Sequence, residues 1–412
     1  MTGTRETGRE APGNPAVPQP LAGVRVLDLA TFIAAPFSAA ILGEFGAEVI
    51  KIEHPDGGDP MRRFGTPTDA DGRTLAWLSE ARNKQSVTLD LKSADDAGIL
   101  KQLVRRSDVL AENFRPGTLE RWGLGPDVLL ELNPRLVMLR ISGYGQTGPY
   151  RDRPGFARIG HAFGGLTYLA GLPDGPPVTP GSTSLADYLS GMYGALGVLL
   201  ALRTAEATGK GQVIDVALFE SIFRVLDEMA PLYAAKGIVR EREGLSTRNA
   251  CPHGHFACSD GNWVAIACTS DRMWARCRPN DVLGRRDLAE SHPTTASRLA
   301  DRDLVDGVTR AFTSAHPMAD VVRLCTEGDV PCGPINSIAD IFADPHFAAR
   351  GVLKAMHDDD ARVGEVVVPD ALPRLSLTPG EVRTLGPELG NWDDYVREEL
   401  VNDDRELRVR DA

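Results

Sequence analysis

The chain has 412 residues, with 45 lysines and arginines against 57 aspartates and glutamates, for a formal net charge of −12. That length allows two or three domains with a substantial core. The acidic balance argues against general binding to nucleic-acid phosphates, while leaving room for a local basic pocket that takes an anionic ligand.

Residues 1–20 are polar and rich in Pro and Gly, and are expected to form a disordered tail. They contain no apolar h-region, so no secretory signal is expected and the protein is placed in the cytoplasm. VRVLDLA (24–30) then reads as a short apolar strand, Pro36 opens a helix ending near Phe45-Gly46, and AEVIKIE (47–53) is the next strand. Ser86–Asp90 is a further strand, 94–106 an amphipathic helix, and DVLAEN (108–113) a strand. Short helical pieces near 117–121 and 126–132 lead to the strand RLVMLRISG (135–143). Strands alternating with helices over this span predict a doubly wound, mainly parallel, Rossmann-like α/β sheet.

From Val178 to Gln212 a turn rich in Pro, Gly, Ser and Thr runs into one carboxylate and then an apolar helical run. Ser182, Thr183 and Ser184 offer N-cap hydroxyls, and Ser184-x-x-Asp187 resembles a capping box. The run from Tyr188 to Leu202 predicts a helix buried on most sides, stopped by Gly209 and Gly211. It is shorter than the roughly 20 apolar residues of a membrane span and includes Ser190, so a core helix is expected and no membrane partner. Asp187 sits in the first turn, where the helix dipole favours its anion. It is either a plain helix cap or an ionised nucleophile.

GQVIDVAL (211–218) predicts a strand running into a helix through Ala235, followed by a charged loop over 238–251. Residues 252–335 mix two strands around the turn Asp260-Gly261 with helices near 272–282, 296–314 and 317–327, as in a smaller α+β domain. All six cysteines fall here: Cys251, Cys258, Cys268, Cys277, Cys325 and Cys332. So few in a cytoplasmic chain do not make a disulfide framework. The gaps in Cys251-x-His253-x-His255-x-x-Cys258 match no common zinc spacing, and no metal is expected. GEVVVP (364–369) is a last strand, and 391–401 an acidic helix. The expected organisation is a tail over 1–20, a large α/β domain over 21–237, an inserted small domain over 238–340, and a return segment over 341–412 that completes the large domain.

Gly143-Tyr-Gly145-Gln-Thr-Gly148 follows a strand and matches a dinucleotide fingerprint, but Pro149, Pro154 and Gly155 leave no helix to meet a pyrophosphate. A nicotinamide cofactor is therefore not expected, and the loop is read as one that lets a ligand approach the backbone. There is no phosphate-loop signature, nucleophile elbow or Cys/His nucleophile pair. Basic residues near predicted strand ends are His54, Arg62, Arg63, Lys84, Lys92, Arg115, Arg121, Arg140, Arg151 and Arg153, any of which is either ligand-facing or plain solvated charge.

Taken together, PLAGVRVLDLA, LGEFGAEVIKIEHPDGGDPMR, RNKQSVTLDLK, ENFRPGTLERWGLG, GYGQTGPYRDRPGF, LADYLSGMYGALGVLLAL, GKGQVIDVALFES and VPCGPINS make the chain resemble the class III CoA-transferases from Pro20 to about Asn391. The resemblance implies coenzyme A, as acyl-CoA, and a small carboxylic acid as substrates. It also implies an aspartate nucleophile, here Asp187 with Ala186 in place of the usual Gly, and an intertwined homodimer. Implied CoA contacts fall on Phe32, Ile33, His54 (an Arg in the formyl-CoA enzyme), Leu89 to Lys92, Asn113, Phe114, Arg115, Arg121, and Arg153 to Phe156. The succinyl-CoA-dependent dicarboxylate branch is the nearer likeness, with Arg62, Arg63 or Arg158 as candidates for a distal carboxylate. The same fold carries 2-methylacyl-CoA racemases, whose G-H-D-x-N-Y motif has its histidine replaced here by Phe156, which cannot exchange a proton. His161, five residues on, is expected to pack or bond locally. A catalytically silent acyl-CoA-binding paralogue is the remaining alternative.

Overall fold

The computed structural model describes residues 17–70, 72–276 and 282–400. Residues 1–16 of the expected tail, Cys277, the end of the helix expected over 272–282, and residues 401–412 lie outside them. The chain packs as two units. The first takes the described residues up to Gly164, Thr183–Val225, and those from Gly351 onward; the second takes Gly165–Ser182 and Leu226–Arg350.

Unit 1 is built on a six-stranded sheet of β1 (Arg25–Asp28), β2 (Glu48–Glu53), β3 (Lys84–Thr88), β4 (Val109–Glu112), β5 (Val137–Ser142) and β6 (Val213–Ala217), in the order β3-β2-β1-β4-β5-β6. Every neighbouring pair is parallel. β4 and β5 are buried residue by residue, as their continuous apolar runs require of strands covered on both faces. The strand order reverses between β1 and β4. In an open sheet of this kind, that is where a crevice forms beyond the carboxyl ends of the strands. Leu27, Ile50, Leu110 and Met138 from the strands join Leu100, Leu103 and Val104 from the helix Ala94–Arg105 in one core cluster.

The helix Leu185–Thr208 is longer than the apolar run expected, at 24 residues, and its length and composition are those of a helix able to cross a membrane. Here it lies against the helix Ala34–Glu44 at very close range. A Cβ on Gly191 would stand 2.7 Å from the Ala34 carbonyl oxygen, and one on Gly194 2.6 Å from Ser38 Oγ. Ser38 Oγ donates to the Gly191 carbonyl at 2.7 Å, which ties the two backbones together. Burial is one-sided, contrary to the sequence expectation. Met192, Leu196, Leu199 and Leu200 form an exposed apolar stripe at helical spacing, because the buried face is made mostly of small residues, Ala186, Ser190, Gly191, Gly194, Ala195, Ala201 and Ala205.

The end of the chain returns to unit 1. β10 (Leu353–His357) and β11 (Glu365–Pro369) pair as an antiparallel hairpin, and Arg73 forms an ion pair with Asp358. Trp77 Nε1 and Arg62 both donate to the Pro387 carbonyl, at 2.9 and 3.0 Å. The acidic helix expected over 391–401 is a π-helix over Tyr395–Leu400.

Unit 2 holds a three-stranded antiparallel sheet of β7 (His253–Ala257), β8 (Trp263–Ala267) and β9 (Cys332–Pro334), the last of which has no sequence signal. Its core gathers Phe256, Val264, Ile266, Trp274, Val305 and Val321. The single helix expected to follow β6 is two, Leu218–Phe223 and Met229–Lys236, because Asp227 takes a left-handed backbone at φ 47° between them. The helix expected over 296–314 is likewise split at Asp301. Among the described residues no group of His, Cys, Asp and Glu is arranged to hold a metal; Cys251 instead donates to Asp306.

Candidate active site at the carboxyl edge of the sheet

Two cavities, each of about 210 Å³, open along the carboxyl edge of the sheet in unit 1. The first lies at the strand-order reversal. Thr31–Ala34 after β1, Asn113–Pro116 after β4, Ile141–Gly143 at the end of β5, the 151–156 turn and Asp187 line it. The second lies beyond β1, β2 and β3, lined by Lys51–His54, Leu89–Lys92, Phe114 and Trp122. Thr31 and Phe114 belong to both.

The turn after β1 is held in an unusual shape. Phe32 has φ 63°, a left-handed conformation that costs a non-glycine residue about 1–2 kcal/mol. Three contacts fix it. Its N–H donates to Asp59 Oδ1 at 3.0 Å. The Thr31 N–H donates to Asn113 Oδ1 at 2.8 Å, and Asn113 Nδ2 donates back to the Thr31 carbonyl at 2.7 Å. Asp59 is itself anchored by Lys51, 3.0 Å from its second oxygen, inside a buried cluster with Asp28 and Lys84. Burial alone would raise the Asp28 pKa, but Lys51 and Lys84 outweigh it and hold the carboxylate below its ordinary range. The result presents the Phe32 ring edge-on to Phe64 and to the largely exposed Phe156. It also starts the helix Ala34–Glu44 at the cavity wall, where the first N–H groups have no intrahelical acceptor.

Asp187 occupies the first turn of the helix Leu185–Thr208. The expected capping box is absent: Ser184 makes no side-chain cap bond, and its carbonyl takes the Asp187 N–H at 2.9 Å. The cap comes from His161 instead, whose Nε2 accepts the Ala186 N–H at 2.9 Å. Burial, and then Arg158, lowers the His161 pKa, consistent with a neutral ring that accepts at Nε2. The helix-dipole argument for an anionic Asp187 meets an opposing and larger effect. Burial pushes its pKa up to about 7, with no cation near enough to reverse it. The carboxylate is thus poised near neutrality, a desolvated and reactive state for a nucleophile.

The residues singled out from the sequence divide as follows. Phe32, Ile33, Asn113, Phe114, Arg115, Arg153, Phe156 and Asp187 share the first cavity. His54, Leu89 and Lys92 share the second, again with Phe114. Arg121 lines neither and donates to Thr118 Oγ1 at 2.9 Å. Several basic candidates are structural. Arg62 is buried in a two-pronged contact with Glu53, both bonds 2.7 Å, and stacks over Trp77. Lys84 is buried against Asp28, and Arg140 lies between Glu112 and Glu120. Arg63 donates to the Gly57 carbonyl, and Arg158 is exposed outside the cavity lining. Arg151, one of the basic residues at predicted strand ends, does reach the first cavity, and so does Gly143, the one member of the glycine loop to do so. A Cβ on Gly143 would stand 2.8 Å from Gly155 Cα, so the two ends of the 143–155 loop touch through bare backbone.

Comparison with known proteins follows the same outline. A family model described as CoA-transferase family III matches residues 21–393. The chain is 55% identical over 401 residues to the succinyl-CoA--L-malate CoA-transferase beta subunit of Chloroflexus aurantiacus, covering 95% of this chain and 98% of that one. It is 34% identical to a succinate--glutarate CoA-transferase of Agrobacterium fabrum, covering 94% and 97%. Among solved structures, a CAIB/BAIF family protein from Brucella suis superposes with a TM-score of 0.81 at 33% identity, over 93% of this chain and all of that one.

Proposed function

The chain belongs to CoA-transferase family III and is an enzyme of that class, and from this premise we propose that it moves CoA from succinyl-CoA to a dicarboxylic acid with Asp187 as the carrier. The observation that carries the assignment is one carboxylate, desolvated and near-neutral, on a rigid helix in the cavity at the strand-order reversal. The donor and acceptor classes follow from the relatives, two of which act on succinyl-CoA or succinate with a second diacid.

In this reading an Asp187 oxygen attacks the thioester carbonyl of succinyl-CoA. The C–S bond breaks and leaves a succinyl–aspartyl anhydride and CoA thiolate. The thiolate attacks the aspartyl carbonyl, succinate departs, and the aspartyl-CoA thioester remains. The acceptor carboxylate then attacks that carbonyl and displaces thiolate, which attacks the acceptor's own carbonyl and regenerates Asp187. No proton is gained or lost over the cycle, so the site has no need of a second acid or base. His161, already accepting from Ala186, is a helix cap and not the missing racemase base. The orphan N–H groups at the start of the helix Ala34–Glu44 are suited to the tetrahedral oxyanions. The second cavity, whose lining includes His54, Lys92, Phe114 and Trp122, suits the nucleotide of CoA. The exposed stripe of Met192, Leu196, Leu199 and Leu200 suits burial in a homodimer.

The test is trapping. Incubation with succinyl-CoA alone, followed by peptide mass spectrometry, is expected to show a CoA adduct on Asp187 that hydroxylamine removes. Transfer retained in Asp187→Ala refutes the assignment.

A further inference from the structure

His161 is 1% exposed, and its Nε2 accepts the Ala186 N–H at 2.9 Å. A neutral imidazole that accepts at Nε2 carries its hydrogen on Nδ1. Among the described residues His161 Nδ1 has no hydrogen-bond partner. A buried N–H without an acceptor is a standing cost, and an apolar side chain of similar shape would fill the space without it. Packing alone therefore does not account for an imidazole at this position. What the ring supplies, and an apolar side chain does not, is the acceptor for Ala186.

That amide stands directly before the candidate nucleophile. The N–H groups of Asp187 and Tyr188 both go to the Ser184 carbonyl, at 2.9 and 3.1 Å, and Ser184 makes no side-chain cap bond. Among the described residues His161 is the one side chain that bonds the backbone N–H groups of this first turn. The ring is delivered by the short helix Ala157–Phe163, which begins at the cavity wall. The carbonyl of Phe156, a lining residue, accepts the Ile159 and Gly160 N–H groups at 2.9 and 3.0 Å. A Cβ on Gly160 would stand 3.1 Å from the Cβ of Ala186 and 3.1 Å from that of Leu218. The bare Gly160 thus lets this helix rest on the starts of two others at once. The path from the 151–156 turn to Asp187 is one short helix and one hydrogen bond.

Resting on the transfer reaction at Asp187, we propose that His161 is a positioning residue for that reaction: its ring fixes the Ala186 amide, and with it the direction of the Asp187 carboxylate, and ties both to the 151–156 turn of the same cavity. The ring touches no reacting atom in this role. It acts through the backbone, so its loss falls on the attack by Asp187 and spares the binding of acyl-CoA. A misplacement of about 1 Å at a reacting group costs about 100-fold in rate.

The experiment uses the full chain with succinyl-CoA and two paired variants, His161→Met and His161→Gln. The two side chains are alike in length and volume, and only Gln ends in a strong acceptor for the amide. His161→Met is expected to lower kcat, and the rate of CoA labelling at Asp187, about 10- to 100-fold with the KM for succinyl-CoA little changed. His161→Gln is expected to recover most of that loss. Gly160→Ala leaves the ring in place and crowds its helix against Ala186 and Leu218, so it should lower kcat in the same sense; it decides the matter if the Met variant does not fold. Full kcat in His161→Met or in Gly160→Ala overturns the proposal, as do equal rates in the Met and Gln variants. A loss confined to KM, or a lower Tm with kcat unchanged, assigns His161 to binding or to folding and overturns it as well. Undiminished labelling of Asp187 in His161→Met overturns the positioning role alone. Absence of labelling in the wild type overturns the transfer reading with it.

Discussion

Asp187→Asn is expected to abolish transfer and, above neutral pH, to make the protein more stable. The side chain keeps its size and loses its charge. Burial raises the Asp187 pKa from the ordinary 3.8 to about 7. A folded-state pKa above the unfolded one means that the native protein binds the proton more tightly. Stability is then greatest below the unfolded pKa and falls as pH rises, until both values have been passed. With each pKa unit worth about 1.4 kcal/mol, the cost of holding the anion at pH 8 is at most about 4 kcal/mol. Asp187 keeps some contact with solvent, and a realistic figure is about 2 kcal/mol. Urea unfolding of wild type and variant at pH 8 and at pH 4.5 measures it. The variant should unfold at higher urea at pH 8, and the gap should close toward pH 4.5. A variant equally stable or less stable at pH 8 refutes the claim that the carboxylate is held there at a cost.

Two further outcomes follow from the same geometry. In the proposed reaction the nucleophile is the Asp187 anion, so kcat/KM for succinyl-CoA should rise with pH through an apparent pKa of about 7 and level off above it; a flat profile between pH 5.5 and 8 contradicts this. Asn113→Ala removes both bonds that bracket Thr31, at 2.8 and 2.7 Å, and should release the left-handed Phe32 turn. The expected cost is about 2 kcal/mol in stability, with kcat falling more than KM rises, read by thermal melts and steady-state rates.

The sheet was legible because its strands are short apolar runs set between helices and turns, and all six parallel strands stand within two residues of where those runs begin and end. β9 was not legible: three residues, Cys332–Pro334, become a strand only by pairing with Val264–Ile266, some seventy positions earlier. The candidate site shows the same division. Asp187 was visible as the first carboxylate of an apolar helix. Its cap was misread, because Ser184 has the right spacing while the real acceptor, His161, reaches Ala186 through the fold. The basic residues near strand ends looked alike in sequence. Only packing separates Arg62, Lys84 and Arg140, which neutralise buried carboxylates, from Arg115, Arg151 and Arg153, which face a cavity.

The bare-backbone contact between Gly143 and Gly155 bears on how this part of the cavity wall is inherited and altered. With its ends pinched together, the intervening stretch is a closed Ω-like loop that carries Arg151 and Arg153 but takes no part in the strand ladder. Gln146 is moored by its N–H to Asp215 on β6, and Tyr144 and Tyr150 rest their rings against Phe163, 5.1 and 6.0 Å between centroids. Apart from Tyr144, Gln146 and Tyr150, its interior positions are open to substitution without disturbing β5, while the two glycines at its neck are closed to any residue with a side chain.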